Sequence, residues 1–148
     1  MWVRNLLEGK TRGGVITVGP DADLAMVVAL MMRHDVGAVP VVEGAKGVVG
    51  LISERDVARA VHRNRGELRE VPARRVMRRP APTCHHNDTL HQVMARMTRR
   101  RLRHLVVLDG RRMIGVISVG DLVKHRLEQL ETETAVLRDY VMAQRALG

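Results

Sequence analysis

The sequence predicts an α/β fold of two similar β-α-β-β-α units, related by a pseudo-two-fold axis and followed by a long C-terminal helix. Three observations support this: an internal repeat, the same order of helical and strand periodicity in both halves, and an apolar stripe continuing beyond the second half. The chain has 148 residues, which suits one domain or two small units that share a core.

The repeat becomes visible when Thr17–Val57 is aligned with Thr83–Leu122. Apolar positions of two predicted helices coincide, and after one deletion the following strands and helix starts coincide as well. The matched residues are Thr17 and Thr83, Leu24 and Leu90, Val27 and Val93, Met31 and Met97, Gly50 and Gly115, Ile52 and Ile117, Ser53 and Ser118, and Asp56 and Asp121. Such a duplication implies two units that bury their apolar faces against each other.

The elements follow the same order in each unit. A short β-rich segment, "GVITV" or "APTC", precedes a helix whose apolar residues recur every three or four positions, in "DLAMVVALMMRHD" and then from Leu90 to Met97. Two strands follow, "AVPVV" and "GVVGLI" in the first unit and "HLVVL" and "RMIGVI" in the second. The segments "EGAKG" and "DGRR" between them supply the glycine that a hairpin turn needs.

Changes in composition divide the chain into four parts. We expect a first unit with the N-terminal segment over residues 1–65, a linker over 66–79, a second unit over 80–127 and a helical tail over 128–148. From Val123 the tail repeats apolar or small residues at steps of four and three, through Leu127, Leu130, Thr134, Leu137 and Val141. This heptad pattern needs a partner surface, either in a homodimer or on the same chain.

A shared phrase, "GLISERDV" from Gly50 and "GVISVGDL" from Gly115, stands where a strand meets a helix in each unit. A serine followed three residues later by an aspartate can be a capping box, with the glycines allowing close approach of two backbones. The same helix N-terminus can also bind a phosphate, and an ionised aspartate can accept hydrogen bonds from both ribose hydroxyls. Capping and nucleotide binding are compatible.

Over Leu6–Leu127 the pattern resembles a tandem pair of CBS domains, the adenosyl-binding regulatory unit called a Bateman module. The resemblance rests on "HDVGAVPVV" with "GVVGLISERDV" in one unit and on "RRLRHLVVL" with "RMIGVISVGDL" in the other. It further resembles small stand-alone bacterial proteins of this type. The resemblance implies two nucleotide clefts, each drawing on both units, for AMP, ADP, ATP or NAD.

Carried over residue by residue, the resemblance defines two clefts by the aspartate that each contains. The Asp121 cleft would combine residues of both units: Thr11, Ile16, Val36, Gly37, Ala38, Ser118 and Asp121. The Asp56 cleft would do the same with Ser53, Arg55, Asp56, Met77, Pro82, Leu102, Arg103 and His104. Arg55, Arg103 and His104 would contact phosphates, so we expect the Asp56 cleft to prefer the more heavily phosphorylated ligand.

Other residues indicate neither catalysis nor metal binding. The run "CHHND" from Cys84 places its histidines next to each other, and adjacent residues of an extended segment point to opposite faces. We therefore predict no metal site and a buried, apolar role for Cys84. The sequence has no nucleophile or phosphate-loop motif, so we predict a binding protein rather than an enzyme.

Charge and composition leave two alternative functions open. The chain has 25 Lys and Arg against 16 Asp and Glu, a balance that favours anionic partners. A nucleic-acid-binding module is one alternative, although stacking aromatics are scarce, and a structural dimer without ligand is the other. A single cysteine, no signal sequence and no membrane-length apolar run predict a cytoplasmic protein. The resemblance to paired CBS domains and the apolar stripe of the tail imply a homodimer. Because we identify no effector domain in the sequence, we expect it to signal to another, unidentified protein.

Overall fold

The computed structural model describes residues 1–10 and 14–147 and has the predicted α/β architecture. Its elements, in chain order, are helix α1 (Val3–Glu8), helix α2 (Leu24–His34), strand β1 (Ala38–Val42), strand β2 (Val48–Ser53), helix α3 (Glu54–Arg63), helix α4 (Ala73–Val76), strand β3 (Thr83–His85), helix α5 (Leu90–Arg100), strand β4 (His104–Asp109), strand β5 (Arg112–Ser118) and helix α6 (Val119–Leu147). The first unit holds α2 to α3, and the second holds β3 to the start of α6.

Each unit forms its own small sheet. Strands β1 and β2 pair antiparallel, as do β4 and β5, and β3 adds a parallel strand beside β4. In the first unit the predicted leading strand is reduced to one bridge between Val18 and Val41. The proline at position 20 lacks a donor N–H, which limits further pairing there. The bridge is equivalent to the pairing of Cys84 with Val107 in the second unit, which agrees with the aligned repeat.

The core is aliphatic and falls into three clusters. One lies in the first unit around Val27, Val39 and Ile52, and its counterpart in the second lies around Val93, Leu105 and Ile117. The third joins the two units and consists of buried Ala38, Leu51 and Val106. Burial of each valine, leucine or isoleucine side chain stabilises the fold by about 1.5–3 kcal/mol, so these clusters can be stable without aromatic residues.

The connecting segments pack more closely than the sequence division suggests. Val71 and Ala73 both lie within the linker that we expected over residues 66–79, yet their side chains are buried in the core of the first unit. Helix α1, which we grouped with the first unit, instead contributes buried Val3 to the core of the second. Its backbone is fixed there as well, since the Val3 amide donates to the Asp88 carbonyl at 2.9 Å.

The two glycines of the shared phrase make room for side chains and not, as we expected, for a second backbone. A Cβ on Gly50 would lie 2.4 Å from Sδ of Met77, and one on Gly115 would lie 2.6 Å from Cδ2 of Leu7. Both distances are shorter than a non-bonded contact allows. The glycines therefore let α1 and the segment after α4 lie flat on the two sheets.

Helix α6 is continuous from the second unit into the tail. Its first turns contribute buried Leu122 to the core of the second unit. From residue 126 to residue 147 every residue is exposed. No helix in the two described ranges, α6 included, is both long and apolar enough to cross a membrane.

Candidate functional site

The Asp56 cleft begins where β2 passes directly into α3. Ser53 is the N-cap of α3, and its Oγ accepts from the Asp56 amide at 3.3 Å. The Asp56 carboxylate accepts through Oδ2 from both the amide and the hydroxyl of Ser53, each at 2.9 Å. The predicted capping box is therefore present. Oδ1 has Arg59 as an ion-pair partner at 3.7 Å, which leaves it open to further donors.

Residues of both units line one cavity at this helix start, with a volume of about 120 Å³. The structure brings together seven of the eight residues predicted for the Asp56 cleft. Those that line the cavity are Ser53, Arg55, Asp56, Pro82, Leu102, Arg103 and His104. Met77 does not line it, because its side chain packs on Gly50 beside the core of the first unit.

Sequence reasoning missed four residues that line the same cavity, which are Leu51, Glu54, Arg78 and Arg101. Arg78 is positioned by its backbone, which exchanges hydrogen bonds with Leu51 in both directions, at 2.9 and 3.1 Å. Arg101 ends α5 in the left-handed conformation, with φ of 53°. The basic runs around both arginines were visible in the sequence, but only the fold shows that they line the cavity that contains Asp56.

A larger groove of about 800 Å³ continues from this cavity and shares Arg78, Pro82 and Leu102 with it. Its size lies in the range of small-molecule sites. The charged side chains that line it are all basic: Lys46, Arg78, Arg79, Arg96, Arg100 and Arg111. Arg96 is already paired, at 3.5 Å from Asp88. The groove therefore extends the cleft with a surface suited to anions.

The Asp121 cleft differs in its electrostatics. The Ser118 amide donates to Asp121 Oδ2 at 2.8 Å, and the Asp121 amide donates to Ser118 Oγ at 3.1 Å, so the capping box recurs. Here, however, the ammonium group of Lys10 forms a close ion pair with Asp121 and donates to the Val116 carbonyl at 2.8 Å. Sequence reasoning assigned the neighbouring Thr11 to this cleft but missed Lys10, because the resemblance did not include a lysine at that position.

The other residues predicted for the Asp121 cleft are distributed unevenly. Thr11 lies outside the described residues. Ile16, Val36 and Gly37 are partly buried, while Ala38 is buried in the cluster that joins the two units. Gly37 contacts the second unit, since a Cβ there would lie 3.1 Å from Nε2 of His104.

His104 connects the two clefts, although we assigned it only to the one with Asp56. It lines the Asp56 cavity while its imidazole lies against Gly37 of the other cleft. The pKa of His104 is lowered below its ordinary value of 6.5, mainly by burial. The positive charges of Lys10 and Arg103 lower this pKa further, while the negative charges of Glu54 and Asp121 partly offset the effect. The lowered pKa favours the neutral imidazole at pH 7.

The "CHHND" segment differs in part from the expectation. His85 and His86 do not point apart, because the strand ends at His85; their rings lie 4.5 Å apart and cluster with Asp109. His86 Nε2 lies 3.2 Å from an Asp109 oxygen, and the unprotonated ring nitrogen of His85 can accept from one backbone amide, that of Asn87 or that of Gly110. These contacts engage the potential ligand atoms, so the absence of a metal site stays our prediction. Cys84 is buried, and burial raises the pKa of its thiol to about 12.

Comparison with known proteins agrees with this architecture. The model of the CBS domain matches residues 10–63 and 73–128. The chain therefore belongs to the CBS domain family and contains two copies of the domain, as the shared phrase predicted.

Individual relatives share the two-domain arrangement. The CBS domain-containing protein YhcV of Bacillus subtilis is 30% identical over 122 residues, which cover 82% of this chain and 83% of YhcV. The crystal structure of the CBS-domain containing protein ATU1752 from Agrobacterium tumefaciens is 36% identical with a TM-score of 0.77, covering 85% of this chain and 99% of that one. The CBS domain protein PAE2072 from Pyrobaculum aerophilum, solved in complex with AMP, is 27% identical with a TM-score of 0.74, covering 90% and 99%.

Proposed function

We propose that this protein is a regulatory module that binds an adenine nucleotide, namely AMP, ADP, ATP or NAD, in clefts between its two CBS units. The observation that carries the proposal is the Asp56 cavity. There the capped start of α3 from one unit faces Pro82, Leu102, Arg103 and His104 of the other. A helix N-terminus with surrounding arginines suits phosphate, and a carboxylate with an open oxygen suits ribose hydroxyls. The AMP complex of PAE2072 supports the same ligand class.

The Asp56 cleft is the site for the more phosphorylated ligand. Four arginines, Arg55, Arg78, Arg101 and Arg103, line its cavity against two acidic residues, Glu54 and Asp56, and the basic groove adjoins it. A cavity of about 120 Å³ is smaller than ordinary ligand sites, so a nucleotide would extend into the groove or widen the cleft. At the Asp121 cleft a ligand's ribose would compete with Lys10 for the carboxylate. That competition disfavours binding there.

Ligand binding would act through the relative position of the two units. A ligand in the Asp56 cleft touches both units, so it stabilises the arrangement in which their binding surfaces fit it best. His104, which also touches Gly37, would transmit part of that change to the other cleft. We propose that a cytoplasmic homodimer passes the change to a further protein.

Thermal unfolding with and without millimolar AMP, ADP, ATP or NAD tests this function. A ligand at about 100 times its dissociation constant adds roughly 2.7 kcal/mol to the free energy of unfolding, which raises the unfolding midpoint visibly. We expect a midpoint shift for at least one nucleotide in the wild type and none in the double variant Asp56→Ala, Asp121→Ala. No shift with any nucleotide in the wild type would contradict the proposal.

The control must separate lost capping from lost binding. Asp23 caps α2 by accepting from the Ala25 amide at 2.8 Å and lines neither cavity. The variant Asp23→Ala should lose about 1 kcal/mol of stability and keep the full nucleotide shift.

The basic groove also supports the alternative function, which is binding of a nucleic acid. Exposed Arg78, Arg79, Arg100 and Arg111 line it on one side of the molecule. On that alternative, oligonucleotide affinity would fall steeply with salt and would hardly change in the double aspartate variant. The two outcomes are therefore distinct in one set of variants.

A further inference from the structure

Most of helix α6 lies beyond the body of the protein. Residues 126–147 are all exposed, a length of about 33 Å at 1.5 Å per residue. A helix without tertiary contacts is only marginally stable in water, because most helical stability in proteins comes from packing of an apolar face. The tail thus requires a partner surface that the described part of this chain does not supply.

One stripe of the tail has the pattern of a coiled-coil seam. Its apolar residues are 52% exposed at Val123, 56% at Leu127, 41% at Leu130, 64% at Leu137 and 44% at Val141. They alternate at steps of four and three, so Val123, Leu130 and Leu137 take the d positions of a heptad. Thr134 fills the remaining a position, and its hydroxyl already donates to the Leu130 carbonyl at 2.9 Å. It can therefore enter the seam with its methyl group.

We propose that the partner is a second copy of this chain, and that two tails form a parallel, in-register, two-stranded coiled coil over residues 123–145. This inference gives a geometry to the homodimer of the proposed function but does not depend on nucleotide binding. The argument for the occupant and for its direction comes from the charges that flank the seam.

The flanking charges match a parallel pair. Arg126 and Glu133 occupy g positions, and Glu131 and Arg138 occupy e positions. In a parallel coiled coil a g residue contacts the e residue five positions later on the other helix. Arg126 would then meet Glu131 of the second copy and Glu133 would meet Arg138 of the second copy. Symmetry doubles both pairs, which gives four attractive contacts and no repulsive one among these residues.

These four charges have no complementary neighbours on their own helix. Charged residues support an isolated helix when opposite signs stand three or four positions apart. None of Arg126, Glu131, Glu133 and Arg138 has an opposite charge at that spacing. Arg126 does donate to Gln129 Oε1 on the same helix, at 2.9 Å, but that amide oxygen carries no opposite charge, whereas a second tail would supply one to each of the four residues.

An antiparallel pair fits the same charges poorly. In that arrangement e residues face e residues and g residues face g residues. When the two antiparallel helices cross with residue 132 at the centre of the overlap, Glu131 faces Glu131 of the second copy, and Glu133 faces Glu133 of the second copy. Both contacts are repulsive.

A cross-link at the end of the tail tests the direction. Gln144 continues the seam at a d position, so Gln144→Cys in a Cys84→Ala background should form a disulfide between copies under mild oxidation. In the antiparallel register described above, the two Gln144 positions would lie about 36 Å apart, and no disulfide could form. Absence of the cross-link would overturn the proposal.

Charge reversal tests the contacts themselves in the same cysteine background. An acidic variant, Arg126→Glu with Arg138→Glu, makes all four contacts repulsive, and so does a basic variant, Glu131→Arg with Glu133→Arg. We expect each alone to dimerise on the order of 100-fold more weakly, and their mixture to cross-link as a heterodimer. Cross-linking of the separate variants at the wild-type level would overturn the proposal.

Control variants and a second readout keep the outcomes separate. Reversal of Glu128 and Asp139 to Arg, at positions b and f away from the seam, should leave cross-linking unchanged. The nucleotide shift of the unfolding midpoint is measured on every variant. A cross-link without any nucleotide shift of the midpoint supports the parallel coiled coil and refutes the proposed nucleotide binding. A nucleotide shift without the cross-link supports the proposed nucleotide binding and refutes the coiled coil.

Discussion

At the residue scale, one serine and one aspartate per unit cap a helix at each proposed binding cleft. Ser53 and Asp56 hydrogen-bond to each other through Asp56 Oδ2 and cap the first turn of α3, and Asp56 also lines a cavity with four arginines. The sequence pattern alone could not decide between capping and binding. The structure shows that the cap forms in both units, and that four arginines, Arg55, Arg78, Arg101 and Arg103, line the cavity beside Asp56.

Lys10 and His104 show where prediction from single positions fails. The pairing of Lys10 with Asp121 joins residues that are far apart in the sequence. The duplication does not reveal this ion pair, because no equivalent lysine pairs with Asp56 among the described residues. His104 was placed in one cleft by alignment, but its ring is long enough to reach Gly37 in the other. Such contacts depend on side-chain reach across an interface.

His104 also gives a pH prediction. Burial lowers its pKa, so below pH 6.5 the unfolded state binds more protons than the folded state. The contribution of His104 to stability is then lost as the pH falls from 6.5 through its lowered pKa. The unfolding midpoint of the wild type should decrease more between pH 7.5 and 5.5 than that of His104→Gln. The unfolding midpoints are measured by circular dichroism. If they depend on pH in the same way for the wild type and for His104→Gln, the lowered pKa of His104 is contradicted.

At the element scale, periodicity predicted the helices and strands of both units well. Helices α2 and α5 and the two hairpins lie where the apolar spacing placed them, because each presents one regular face to a core. The short elements were harder. Helix α1 has six residues, too few for a clear period, and the first strand of the leading unit is reduced to one bridge.

Helix α1 is predicted to be an integral part of the second unit. Val3 is fully buried there, so Val3→Ala should lower the free energy of unfolding by about 2 kcal/mol through lost burial and the cavity left behind. Urea unfolding measures the difference. The matched substitution Val136→Ala, at an exposed tail position outside the seam, should change it little. Equal stabilities of Val3→Ala and wild type would show that α1 does not contribute to that core.

At the scale of the whole molecule, the duplication explains both the symmetry and its breakdown. Equivalent residues make equivalent contacts, as when the Glu54 amide donates to the Gly37 carbonyl and the Val119 amide donates to the Arg103 carbonyl. Sequence alone predicted that equivalence. It could not predict that the connecting segment would bring Arg78 to the Asp56 cleft and extend it into a basic groove.

The difference between the clefts is open to a direct measurement: calorimetric titration of ATP into the wild type and into the single variants Asp56→Ala and Asp121→Ala. We predict that Asp56→Ala abolishes most of the ATP binding, because it removes the ribose acceptor beside the arginines. Asp121→Ala should retain it, since Lys10 already occupies that carboxylate. Unchanged ATP affinity in Asp56→Ala would contradict the assignment of the nucleotide site to this cleft.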